Sequence, residues 1–96
     1  MDFSSWSDSD FEDWILHRMA RRRNWAHNYL ARRDALKCVP RHLVGRADSA
    51  LIALVHTGLI ATYKKGACVY LVPERKREIE ARVLAFVRRM RLETNW

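Results

Sequence analysis

Residues 41–73 read RHLVGRADSALIALVHTGLIATYKKGACVYLVP, and a change of rhythm inside this stretch decides the fold. From Ala47 onward, Ala47, Ala50, Leu51, Leu54 and Val55 recur at helical spacing, and Gly58 supplies the residue on which a helix can end in the left-handed region. Residues 59–63 (LIATY) and 67–72 (ACVYLV) are instead rich in β-branched and aromatic side chains. Only Lys64, Lys65 and Gly66 separate them, with glycine where a positive φ is wanted. The spacing predicts one short helix followed by a hairpin with a three-residue turn.

Upstream, Ser9 followed three residues later by Glu12 has the form of a capping box, with Asp10, Glu12 and Asp13 in the first turn, where carboxylates meet the positive end of the helix dipole. The first helix is thus expected from Ser9 to about Arg22, with Phe11, Trp14, Ile15, Arg18 and Met19 on its core face. Residues 1–8, with Phe3 and Trp6, read as a flexible acidic tail able to dock locally, in front of a single domain over 9–96. A turn is expected over Asn24–Asn28, with Trp25 and Tyr29 packed across the junction. Leu30, Ala31, Ala35 and Leu36 continue as a second helix that ends at Lys37 or Cys38, because Pro40 disfavours helical angles at Val39. Pro40–Leu43 suit one helical turn, with Gly45 opening the bend into the helix from Ala47.

Downstream, Pro73 opens a long amphipathic helix to about Leu92, in which Ile79, Val83, Phe86, Val87 and Met90 form an apolar stripe. At about 1.5 Å per residue this helix is close to 30 Å long, more than a small three-helix core covers, so the stripe is expected to pair two subunits in a homodimer. The alternative is that Phe86 and Met90 fold back onto Trp14 and Trp25 and leave a monomer.

Composition bounds the function. The chain has 96 residues, 49% of them hydrophobic, which suits one modest core, and a net charge of +7. The charge is unevenly placed: Asp2, Asp8, Asp10, Glu12 and Asp13 fall in the first thirteen residues, where no Lys or Arg occurs. The remainder carries eighteen Lys and Arg against six carboxylates, a balance of +12 that attracts polyanions. Cys38 and Cys68 read as small buried hydrophobes in a reducing cytoplasm. No apolar run has the ~20 residues needed to cross a bilayer. His17, His27, His42 and His56 lack metal-ligand spacing, and no phosphate-cradling loop or nucleophile motif occurs. Neither an enzyme, a metal site, a cofactor nor a small-molecule ligand is therefore expected.

The succession of helix, Gly58-Leu59-Ile60, strand, basic turn and strand resembles the recognition helix and wing of winged helix-turn-helix domains, many of them small DNA-binding regulators of archaea and bacteria. The resemblance covers residues 30–72. It implies a mainly α fold with a small β-hairpin: a three-helix core, a two-stranded wing and a long C-terminal helix. It also implies double-stranded DNA as the partner, in the nucleoid, for a transcriptional regulator or chromatin-associated protein.

On that resemblance the side chains opposite the apolar stripe of the helix from Ala47, namely Ser49, Ile52, Ala53 and His56, face the major groove. They include no Arg, Lys, Asn or Gln for bidentate base reading, so binding is expected to rest on phosphates. Arg46 at the helix start, with Arg41 and His42 before it, is placed for a base or a phosphate. Lys64 and Lys65 at the wing tip suit phosphates, as do Arg32 and Arg33 on the second helix. The alternative is a winged-helix protein-interaction module, with Ile52, Ala53 and the last helix as its apolar surface. RNA binding is a further variant, for which no aromatic stacking platform is legible.

Overall fold

The computed structural model describes residues 3–91 and starts the first helix at Ser7 rather than Ser9. The Ser7 hydroxyl accepts from the Asp10 amide at 3.1 Å, and Asp10 Oδ2 accepts from the Ser7 amide at 3.0 Å. The capping box is thus shifted by two residues from the expected Ser9 and Glu12. Its frame is fixed by aromatic packing: Trp6, just before the cap, meets Phe11 at 5.4 Å between ring centroids, a hydrophobic staple across the first turn.

That staple also corrects the reading of residues 1–8 as a flexible tail. Phe3 and Trp6 are buried, with Phe3 edge-on to Trp6 at 4.6 Å and to Trp14 at 5.4 Å. Asp2 lies outside the described residues. α1 (Asp8–Arg21) buries Phe11, Trp14, Ile15, Leu16 and Met19 and packs on both α3 (Val44–His56) and α4 (Lys76–Met90). Two helices cover it, so its apolar face is wider than one stripe.

The turn after α1 is latched to the sheet, since Leu71 N–H donates to the Asn24 carbonyl at 2.7 Å and Ala26 N–H to the Leu71 carbonyl at 3.2 Å. The second helix differs from expectation. Leu30–Ala31 form a strand, β1, and only Arg32–Ala35 are helical, as α2. Leu30 pairs with Val69 and Ala31 with Cys68 on the strand β3 (Cys68–Leu71), and Arg32 N–H donates to the Ala67 carbonyl at 2.9 Å. Backbone donors and acceptors on the edge of β3 need partners, and this pairing overrides the helical spacing of Leu30, Ala31, Ala35 and Leu36.

A 3-10 turn, Arg41–Leu43, runs directly into α3, which begins at Val44 and takes in Gly45 instead of bending there. Its end matches the sequence closely. Gly58 has φ +83°, its N–H donates to Val55 and that of Leu59 to Leu54, both at 3.1 Å, as in a Schellman motif. β2 (Ile60–Tyr63) then pairs antiparallel with β3, giving the sheet order β1-β3-β2. The connecting turn has four residues, not three, because Tyr63 pairs with Cys68 and Lys64–Ala67 lie between. Leu30, Ile60, Val69 and Leu71 are buried on the sheet's inner face.

After a 3-10 turn at Pro73–Arg75, α4 continues to Met90, and Arg91 turns left-handed at φ +55°. The expected end at Leu92 lies outside the described residues. Ile79, Val83, Phe86 and Val87 are fully buried within the chain, and Met90 packs partly on the same core. The stripe is thus covered by the chain's own core, as in the fold-back alternative: Trp6, expected in a tail, meets Phe86 at 5.9 Å and extends the core along the helix. Mainly helical, with a small three-stranded antiparallel sheet, the fold is α+β. The cysteines also differ from the buried reading, Cys38 being exposed and Cys68 half-buried, both as free thiols.

His17 is buried beside Phe86, ring centroids 5.9 Å apart, and its Nε2 has no hydrogen-bond partner among the described residues. Burial, helped by the charge of Arg21, holds its pKa below the ordinary value. The unfolded chain therefore takes up a proton there that the folded chain refuses, so this contribution to stability is complete above pH ~6.5 and declines as pH falls through that value towards the folded pKa. His17→Leu is expected to flatten the dependence of melting temperature on pH between roughly 7.5 and 5.5, measured against the parent chain in parallel thermal scans.

Candidate nucleic-acid interface

The outward side of α3 carries Ser49, Ile52 and His56, all exposed, with Ala53 half-buried at its edge. Ile52 keeps 41% of its surface in solvent. Helical geometry sets the two flanks of this face: Arg46 and Ala53 turn towards α1, while Val44, Asp48 and Val55 turn towards α2 and the sheet.

On the α1 flank Arg46 is not free. Its Nη2 donates to the Trp6 carbonyl at 2.8 Å and to Asp8 Oδ1 at 3.1 Å, and its guanidinium lies over the Phe11 ring at 5.0 Å. The residue expected to reach a base or phosphate instead ties the start of α3 to the start of α1. A groove of about 400 Å³ runs beside it, lined by Asp8, Glu12, Gly45, Ser49 and Ala53 as well as Arg46. Ser49 and Ala53 thus border carboxylates, which repel phosphate.

The other flank is basic. Arg32 is held through Nε and Nη2 to Asp48 Oδ1 at 3.1 and 2.8 Å, so its charge is partly spent. Arg33, Arg41 and His42 are exposed, and among the described residues none of them meets a carboxylate. Lys64 and Lys65 are exposed at the hairpin turn, with φ +54° and +57°. The Arg32–Ala67 hydrogen bond holds this turn against the start of α2. Of the sequence-predicted residues, Ile52 and His56 line a small cleft with Arg32 and Thr62, the residue two before Lys64, while Arg33 lines a groove with Val44 and Asp48. Arg41 and His42 stand at the start of α3, and Arg32 and Arg46 are committed to ion pairs.

The acidic flank was missed in the sequence. Asp8 and Glu12 have an ordinary role at a helix start, and only the crossing of α1 over α3 carries them to the outward face. Asp10 is held below the usual carboxylate range, first by the Ser7 amide and further by the Ser7 hydroxyl and Arg89, against the opposing effect of its burial. Among the described residues no cluster of His, Cys, Asp or Glu is able to hold a metal, and no helix is long and apolar enough to cross a membrane. Compared with protein-family models, curated proteins and solved structures, the chain matches none.

Because Asp8 is exposed and its bond to Arg46 is solvated, Asp8→Asn is expected to leave the melting temperature nearly unchanged, as for most exposed ion pairs. It removes a negative charge beside Ser49 and leaves Arg46, still held by the Trp6 carbonyl, without a carboxylate partner, so elution from a heparin column should require more salt. Elution at the parent's salt concentration would show that the acidic flank does not govern polyanion binding.

Proposed function

We propose that the domain binds double-stranded DNA as a winged helix, as a regulator or architectural protein, holding the duplex mainly by its phosphates. The observation that carries this reading is the partition of charge. Asp8, Asp10, Glu12 and Asp13 are spent on Arg46, Arg82 and Arg89, Asp48 on Arg32 and Glu78 on Arg75. Arg33 and Arg41, near the start of α3, and Lys64 and Lys65, at the hairpin turn, are exposed and meet no carboxylate among the described residues. The same is true of Arg21, Arg22, Arg23, Lys37, Arg77 and Arg88; what sets the first four apart is their place beside α3 and the hairpin. The order of a short helix, a turn, a longer helix and a hairpin supports the winged-helix resemblance, with α3 as the recognition helix and β2–β3 as the wing.

Base discrimination in this arrangement is modest. Ser49 and His56 are able to hydrogen-bond and Ile52 to touch a thymine methyl, but no bidentate reader lies on the face and Arg46 is turned inward. Phosphate contacts fix the register without reading sequence. A second reading, a protein-interaction module, has one specific observation in its favour. Val44 and Ile52 are both exposed, at 37% and 41%, and Val44 and Leu36 line a shallow groove with Arg32, Arg33 and Asp48.

The readings separate on salt. Replacing Lys64 and Lys65 together by Ala is expected to weaken binding to unrelated duplexes by similar factors. The slope of log affinity against log salt should fall by roughly two, about one unit for each lost phosphate contact. Electrophoretic mobility shifts at several salt concentrations check this, and an unchanged slope would favour the interaction module.

A further inference from the structure

The outer face of the three-stranded sheet carries a cluster of aromatic rings that neither the core nor the α3 surface uses. Strand alternation sends Leu30, Ile60, Val69 and Leu71 inward, which leaves Ala61 and Tyr63 of β2 and Cys68 and Tyr70 of β3 on the opposite face. Tyr29, just before β1, joins them. Its ring stacks on Tyr63 at 4.2 Å between centroids with planes 17° apart, and stands edge-on to Tyr70 at 5.4 Å and 62°. His27 meets Tyr29 edge-on at 6.5 Å. Tyr63 is held against Tyr29 yet keeps 45% of its surface in solvent.

Segments 27–31 and 60–72, which build the sheet, contain no carboxylate, and Lys64 follows Tyr63 directly, with Lys65 next to it. A planar ring ordered by its neighbours, partly exposed and followed by two lysines that meet no carboxylate among the described residues, matches the chemistry of an unpaired base on its phosphodiester chain. Every base has a π-face that extends such a stack, while the ammonium groups neutralise the adjoining phosphates.

We propose that this sheet face is a stacking platform for single-stranded nucleic acid, with Tyr63 as the ring that receives a base, Tyr29 and Tyr70 as the side chains that hold it, and Lys64 and Lys65 on the phosphates. The site shares only these two lysines with the duplex surface, so it rests on the duplex reading no further than that. A protein partner is disfavoured because the patch is small and joined to uncompensated charge.

The test measures fluorescence anisotropy with oligo(dT) and oligo(rU) of roughly 10 nucleotides and with a blunt duplex, using the whole chain and the variants Tyr63→Leu and Tyr63→Phe. Tyr63→Leu is expected to weaken single-strand binding roughly 10-fold, the loss of one base stack. Tyr63→Phe should retain that binding, and both should leave duplex affinity unchanged. Thermal melting of each variant separates loss of fold from loss of contact, because cross-strand aromatic packing also supports the sheet. The dT and rU arms tell DNA from RNA as the source. Single-strand binding unchanged in Tyr63→Leu, or binding of duplex alone by the parent chain, would overturn the platform and leave the duplex reading standing. An equal loss on duplex and single strand would assign Tyr63 to the duplex contact and overturn the platform as well. Tyr63-dependent binding of single strands with none to duplex would support the platform and remove the duplex reading.

Discussion

Asp13 is the group on which the arrangement of helices and charge most depends. It is buried on α1, its side chain only 9% exposed, and Arg82 of α4 reaches it with both Nε and Nη2, at 2.8 and 2.7 Å. A buried carboxylate is tolerable only when paired, and removing one partner of such a pair typically costs about 3–5 kcal/mol. Arg82 also reaches Glu12 at 3.2 Å, and Arg89, two turns further along α4, reaches Asp10 at 2.6 Å. Three carboxylates of α1 and two arginines of α4 therefore set the register of the two helices. That register brings Phe86 against Trp6 and His17 and completes the core.

The same pairs sort the surface. Acids drawn into the α1–α4 seam no longer offset the cations around α2 and the hairpin turn. Asp8 and Glu12 line the groove on the other flank of α3, where they are paired with Arg46 and Arg82. On the proposed reading, a polyanion approaches α3 from the α2 and hairpin side, where Arg33, Lys64 and Lys65 are exposed. Orientation then comes from charge and shape, in keeping with a face that has few groups for reading bases.

The parts of the fold legible in the sequence are those fixed by local chemistry. Gly58 ends α3 as its spacing and backbone freedom require, Lys64 to Gly66 fall within the hairpin turn, and Pro73 opens the last helical stretch. What the sequence hid depends on distant partners. Leu30 and Ala31 have helical spacing but pair with β3, a choice that only the free edge of that strand makes for them. Ser9 and Glu12 match a capping box as well as Ser7 and Asp10 do, and the packing of Trp6 on Phe11 decides between them. Once Phe3 and Trp6 are assigned to a tail, the stripe on α4 looks longer than the core that covers it. The candidate surface follows the same division: Lys64, Lys65, Ile52 and His56 lie outside as strand and helix periodicity require. The capture of Arg46 and Arg32 by Asp8 and Asp48 spans 38 and 16 residues of sequence, and no local pattern reveals it.

The central claim is that a duplex is held on the outward face of α3 and the hairpin turn, on the side that internal ion pairs leave basic. Amide chemical shifts followed by NMR during titration with duplex DNA test it most directly. The account predicts the largest changes at Arg41, Ser49, Ile52, His56, Lys64 and Lys65, and little change along the exposed side of α4 at Arg77 and Arg88. Shifts concentrated on α4, with α3 and the hairpin turn silent, would contradict it.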